Sequence, residues 1–184
     1  YHQLIETWHH PHFARWFAYQ RLLKTFHAYD RIVLADTKDV VFQARLFDEI
    51  PSFGVSIFED GSGFSPESCN ARWYVDAYGA SAYQRVAKHE PICVGVIAGG
   101  APALQSFVRE FCASIALDPF GRVEQAVFNK MYLNNEFSEP FHVFPNLAGP
   151  VLTMSGDRVE EKIIEQEGQI RNPEDDRLYP VVHM

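Results

Sequence analysis

Cysteine is scarce and unpaired in this sequence. Cys69, Cys93 and Cys112 are odd in number, far apart and without a Cys-x-x-Cys pair, which excludes a disulfide framework and a structural zinc site, leaving core or free thiols. Positive charge is short as well. Sixteen Lys and Arg face 24 Asp and Glu, giving a formal net charge of −8 and a pI near 5.4. No basic stripe interrupts that excess, so a nucleic-acid surface is excluded, and an anionic ligand would need a local cation to reverse the field. No apolar run approaches the roughly 18 to 20 residues of a membrane span. The first residues lack a charged-then-apolar targeting segment. The stretch therefore reads as soluble and cytoplasmic as it stands, or secretory if an anchor lies outside it. No internal repeat is visible, and the abrupt Tyr1 start and Met184 stop carry the expectation of a piece of a longer polypeptide.

What is present is the material of one packed domain spanning 1–184. Hydrophobic residues make up 47% of the 184 positions and aromatics 14%, enough for a substantial core. Strand and helix patterns alternate, which predicts an α/β fold whose sheet is mixed, mainly parallel, and flanked by helices. The predicted strands are Ile32–Ala35, Gly54–Phe58, Pro91–Gly100, Phe141–Phe144 and Tyr179–Val182. The predicted helices are Pro11–Tyr29, Cys69–Ala87, Ala101–Leu117 and Arg122–Leu133, with a charged, exposed segment over Glu160–Glu167.

The chain is organised around Asp30-Arg-Ile-Val-Leu-Ala-Asp-Thr-Lys-Asp-Val-Val-Phe-Gln43. A buried strand breaks off into Asp36 and Asp39, at the strand end where open α/β sheets bind ligands. Two hard oxygen ligands three residues apart on a turn can share a divalent cation; solvated turn residues are the other reading. On the preceding helix Arg15 and Tyr19 lie four apart on one face and, with Arg21, offer donors near the strand end, or form a solvated Arg beside a packed Tyr. His2, His9, His10 and His12 precede that helix without carboxylate company at ligand spacing, and read as surface. Glu124 opens a helix, where the dipole favours a carboxylate in its own right. Gly95, Gly99 and Gly100 either admit a substrate to the backbone or serve a strand–helix junction.

Several segments, in this order, resemble nucleotide-sugar glycosyltransferases of the GT-A fold. They are Tyr29-Asp-Arg-Ile-Val-Leu-Ala-Asp-Thr-Lys-Asp-Val-Val-Phe-Gln43, Cys93-Val-Gly-Val-Ile-Ala-Gly99, Glu124-Gln-Ala-Val-Phe-Asn129, Asn146-Leu-Ala-Gly-Pro-Val-Leu-Thr153 and Tyr179-Pro-Val-Val-His183. The similarity runs from about Arg15 to His183. Val94 replaces the family's Ser, Glu124 its commoner Asp, and the carboxylate pair is Asp-x-x-Asp where Asp-x-Asp is usual. The family's opening nucleotide-binding strand is expected to be missing from this chain.

The resemblance implies transfer of a sugar from a nucleoside-diphosphate sugar to a hydroxyl acceptor on a glycan, a lipid-linked sugar or a protein. It places His183 beside Asp36 and Asp39 as a third metal ligand, and an imidazole among oxygens favours Mn²⁺ over Mg²⁺. It casts Arg15, Tyr19, Lys38, Gly95 and Gln125 as donor-binding residues. Glu124 becomes the sugar-facing acid, deprotonating the acceptor if configuration inverts or stabilising charge if it is retained. Two alternatives are a non-catalytic nucleotide- or carbohydrate-binding module of the same fold and a haloacid-dehalogenase-type phosphohydrolase. Lys38 stands where the latter needs an acid.

Overall fold

Pro11 opens helix α1 (Pro11–Leu23), its fixed φ suiting a first turn whose N–H would be unpaired anyway. The computed structural model describes residues 11–25, 28–118, 123–154, 159 and 163–184. Phe13, Trp16 and Leu23 are buried on one side of α1. The helix stops before the predicted Tyr29 because Thr25 closes it: its N–H and Oγ1 both donate to the Leu22 carbonyl, at 2.8 and 2.7 Å.

The remaining elements follow in order: β1 (Arg31–Ala35), β2 (Val40–Phe42), a 3₁₀ turn (Leu46–Asp48), β3 (Val55–Glu59), α2 (Cys69–Tyr78), α3 (Ala80–Val86), β4 (Ile92–Gly100), α4 (Ala101–Leu117), α5 (Glu124–Leu133), β5 (Phe141–Phe144), β6 (Val151–Thr153), β7 (Ile164–Gln166), β8 (Gln169–Arg171) and β9 (Val181–His183). The single helix predicted over Cys69–Ala87 is two. Gly79, at φ 83°, ends α2 by donating its N–H to the Val75 carbonyl, a left-handed conformation that glycine adopts at little cost.

Two sheets carry the fold, in the orders β1-β4-β3-β5 and β2-β9-β6, beside the β7–β8 hairpin. They are mixed, as expected, but parallel pairs do not predominate. β4 runs antiparallel to both β1 and β3, and only β3–β5 and β6–β9 are parallel. All nine residues of β4 are buried, and a strand covered on both faces presents a continuous apolar run whichever way its neighbours point. Residues 1–10, ahead of α1, where the expected absence of the opening nucleotide-binding strand would show, lie outside the described residues.

The larger sheet separates two cores. On one face Val55, Ile57, Ile92, Val94 and Ile97 pack beneath α1, α4 and α5. On the other, Phe58, Val96 and Ala98 meet Leu46, Ile50, Val151 and Val181, which roofs the sheet with the smaller one. In β4, Ile97 pairs with Ile57 but Cys93 pairs with Phe58, so the strand bulges between them. The irregularity releases the backbone of Val94 and Gly95 from the β3 ladder. Bulges are enriched beside active sites, where they re-aim groups.

Candidate active site

Asp36 leaves the end of β1, its N–H donating to the Gly95 carbonyl of the bulge at 2.8 Å. Asp39 precedes β2, and its carbonyl accepts the Met184 N–H at 2.8 Å. Because β2 pairs with β9 in the register Val40–His183, sequence neighbours of the turn and the last strand lie side by side. One ligand atom each from Asp36, Asp39 and His183 lies within 4.8 Å of the other two. His183 Nε2 is 3.8 Å from Asp36 Oδ2 and 3.9 Å from Asp39 Oδ2, too long for hydrogen bonds.

His183 packs its ring against the backbone of Gly95. A Cβ at position 95 would lie 2.4 Å from His183 Cε1 and 2.5 Å from Nε2, so the imidazole occupies the space a side chain would take. Gly99 and Gly100 instead face the Gly54 and Ser52 carbonyls and serve strand packing. His183 Nδ1 lies 3.2 Å from Cys93 Sγ. Burial lowers the imidazole's pKa against the pull of Asp39 and Asp60, which keeps a lone pair on the ring. Burial also pushes the Cys93 thiol up to about 12, so it stays protonated. In the tautomer that carries its hydrogen on Nδ1, facing the sulfur, Nε2 keeps its lone pair on the side of the two carboxylates, available to a metal.

Arg15 links this group to Glu124. Its Nη1 pairs with Asp36 Oδ1 and its Nη2 donates to Glu124 Oε1 at 2.8 Å and to the Val94 carbonyl at 3.5 Å. His12 Nδ1 also meets Glu124 Oε1, at 3.2 Å. Glu124 is 2% exposed. Burial would raise its pKa, but the His12 bond and the Arg15 charge outweigh that and hold it below the ordinary carboxylate value. Its Oε2 has no hydrogen-bond partner among the described residues. Gln125 accepts the Val94 N–H on Oε1 at 3.2 Å, and its Nε2 donates to Asn70 Oδ1 at 2.7 Å. The motif's last residue, Asn129, spans the next peptide unit, bonding both N–H and carbonyl of Ile92. The Glu-Gln-x-x-x-Asn spacing therefore aligns α5 along β4 through side chains.

These residues line a cleft of about 400 Å³, with Trp73, Val94 and Gly95 completing its walls. Its lining sets the carboxylates Asp36, Asp39 and Glu124 against Arg15 and, when protonated, His12, a negative excess that a divalent cation would offset. Carboxylate oxygens with one imidazole are a donor set that suits Mn²⁺. A shallower depression on the other side of Arg15 is bordered by Tyr19, Asp36, Lys38 and Asp39. There the Tyr19 hydroxyl donates to the Ala35 carbonyl at 3.2 Å and Lys38 is exposed. A similar-sized cavity of about 390 Å³ beneath Tyr74, Tyr78 and Lys130 has no carboxylate in its lining.

Arg15, Tyr19, Asp36, Lys38, Asp39, Gly95, Glu124, Gln125 and His183 thus border one or both of the two hollows that meet at Arg15, Asp36 and Asp39, and Gly99 and Gly100 do not. Arg21 is exposed and outside them. Three contributors escaped the sequence reading. His12 reaches Glu124 although it read as surface; its place three residues before Arg15, on the same helix face, was the available signal. His2, His9 and His10 lie outside the described residues. Cys93 and Trp73 gave no local signal, since only the fold brings them to His183 and the cleft.

No protein-family model matches the chain, and no curated protein matches it. Among solved structures, the crystal structure of mouse xyloside xylosyltransferase 1 in its apo form is similar, at a TM-score of 0.43 and 14% identity over 92% of this chain and 62% of that one. This chain thus spans less than two thirds of that structure's length. Among the described residues no helix is long and apolar enough to cross a membrane.

Proposed function

We propose that the protein is a metal-dependent glycosyltransferase that moves a sugar from a nucleoside-diphosphate sugar to a hydroxyl acceptor. The observation that carries this reading is the convergence of Asp36, Asp39 and His183 in a cleft that Glu124 also lines, joined to Asp36 through Arg15. The ordered sequence resemblance supports it independently. Asp36, Asp39 and His183 would hold Mn²⁺, or Mg²⁺, through two carboxylates and Nε2. When bound, such an ion neutralises charge on the departing diphosphate as a Lewis acid.

The chain's own groups do the rest. Arg15, fixed between Asp36 and Glu124, places a permanent cation beside the phosphates. Lys38, on the exposed turn, adds a mobile one. Tyr19 and Gly95 border the donor, and Gln125 fixes the wall behind it. Glu124, depressed in pKa, is a weak base, so its carboxylate accepts a hydrogen bond from a sugar hydroxyl and orients the ring. In the transfer, the acceptor oxygen bonds to the anomeric carbon. The bond from that carbon to the diphosphate breaks with its electron pair going to the phosphate oxygen, which takes up the acceptor's proton.

Incubation with a panel of nucleoside-diphosphate sugars in Mn²⁺ tests this, with transfer and donor hydrolysis both followed. Turnover that disappears on chelation and in Asp39→Ala is the expected result. Metal-dependent nucleotide binding with no turnover of any donor would instead leave a binding module. Glu124→Gln, which keeps an acceptor oxygen, should lower kcat less than the roughly 10²–10⁴-fold expected on removing a general base.

A further inference from the structure

Beyond Trp73 the cleft opens into a second cavity, of about 340 Å³, and Trp73, Gln125 and His183 line both. The second cavity is bordered by Asp60, Ser62, Ser65, Glu67 and Asn70. Its floor is preassembled. Ser62 Oγ donates to Asp60 Oδ1 at 2.5 Å, Asn70 Nδ2 donates to Ser62 Oγ at 3.0 Å, and Gln125 Nε2 ties Asn70 to the cleft at 2.7 Å. The Asp60 loop is stapled to the strand beside His183. Asn146 Nδ2 donates to the Asp60 carbonyl at 3.1 Å and to the Thr153 carbonyl at 2.8 Å, and Thr153 pairs with His183 in the sheet. The cavity therefore keeps a fixed position relative to the metal-ligand group. Its size lies at the small end of ligand pockets, and it offers hydroxyl and amide groups together with one broad aromatic face.

We infer that this cavity is the acceptor subsite and that it takes a neutral, polyhydroxylated ligand, a saccharide ring stacked on Trp73, while rejecting anionic ones. The inference rests on the proposed transferase reading. Its lining holds two carboxylates, Asp60 and Glu67, and no Lys or Arg among the described residues. A uronate, sulfate or phosphate ester would meet that field unpaired, and like charges across an interface discriminate against the wrong partner. Neutral hydroxyls suit it, because a ring hydroxyl can donate to a carboxylate or serine oxygen and accept from an amide. The ring bound here supplies the hydroxyl that bonds to the anomeric carbon as the diphosphate departs with the electron pair and the proton.

Saturation-transfer NMR with neutral methyl glycosides and matched methyl uronates, in the presence of Mn²⁺ and a nucleoside diphosphate, tests the inference. Two variants at exposed rim positions accompany it. Ser65→Trp fills the mouth, and Glu67→Lys reverses one charge. Neutral glycosides should bind, and uronates about tenfold or more weaker. Ser65→Trp should abolish glycoside binding while metal and nucleotide binding persist, and Glu67→Lys should narrow the gap between neutral and anionic ligands. Uronates binding as well as neutral glycosides, or neutral binding unaffected by Ser65→Trp, would overturn the assignment even with metal and nucleotide bound normally. Loss of metal and nucleotide binding in the wild-type chain, with glycosides still displaced by Ser65→Trp, would instead overturn the transferase reading and leave a saccharide site.

Discussion

Neighbouring residues of α1 serve opposite regions of the molecule. Trp16 enters an aromatic core with Phe107 and Phe111, its ring centroid 6.0 and 4.7 Å from theirs, and Phe128 and Phe137 extend the stack. Arg15, its guanidinium 5.4 Å from the Trp16 ring centroid, reaches into the cleft, where Asp36, Glu124 and His12 converge. The aromatic region needs little beyond shape and burial. The cleft buries charge: Arg15 Nε and Glu124 Oε2 have no hydrogen-bond partner among the described residues, whereas the aromatic core leaves only the neutral Trp16 Nε1 in that state. Buried polar groups left unpaired cost stability. Stability is therefore concentrated in the aromatic core, and ligand-binding capacity in the cleft lined by Arg15, Asp36, Asp39, Glu124 and His183.

Substitutions should separate the two. The largest effect on folding is expected at Phe111, fully buried among aromatic rings. Phe111→Ala should cost about 3–5 kcal/mol in urea unfolding and leave the metal affinity of the folded fraction unchanged. Gly95→Ala is the converse. The added methyl overlaps the His183 ring, so Mn²⁺ affinity by calorimetry should fall about 10- to 100-fold, with a smaller loss of stability. If both properties fell together in either variant, the division between the regions would not hold.

The smallest effect concerns the Glu124–His12 pair. Glu124 has a folded pKa below its ordinary 4.5, so its stabilising contribution is present above that value and lost as pH falls below it toward the depressed one. His12, raised above 6.5 chiefly by its bond to Glu124, contributes fully below 6.5 and loses that contribution as pH rises through its elevated pKa. The pair should stabilise most between about pH 4.5 and 6.5. His12→Asn should remove the decline on the alkaline side, read from Tm against pH, and shrink the acid side, where the Arg15 charge still lowers the Glu124 pKa. An unchanged alkaline limb would show that the contact contributes nothing.

What the sequence disclosed follows the same division. Helix α4 was legible to its ends, because Pro102 sits in its first turn and Leu104, Phe107, Val108, Phe111 and Ile115 repeat at helical spacing. The Asp36 and Asp39 turn was legible as a strand end. Strand direction was not, since the buried run of β4 reads alike in either orientation. The charged segment around Glu165 concealed a hairpin, closed by positive φ at Glu167 and Gly168. In the site, His183 came from resemblance, because nothing near residue 183 announces that β9 will lie against β2. The roles of Cys93 and Asp60 depend on the β4 bulge and on the Asn146 staple, long-range features with no local pattern.

The central claim is that Asp36, Asp39 and His183 form one divalent-cation site that also recruits a nucleoside diphosphate. Calorimetric titration of Mn²⁺, with and without a nucleoside diphosphate, addresses it most directly in wild-type protein, Asp39→Ala and His183→Ala. One Mn²⁺ per chain is expected in the wild type, tightened by the nucleotide. Binding should be at least about tenfold weaker in each variant, which corresponds to 1.4 kcal/mol. Removing the surface-edge Asp39 should meanwhile move metal-free stability by no more than about 0.5 kcal/mol. Mn²⁺ bound equally well by both variants, or a nucleotide bound equally well without metal, would contradict it.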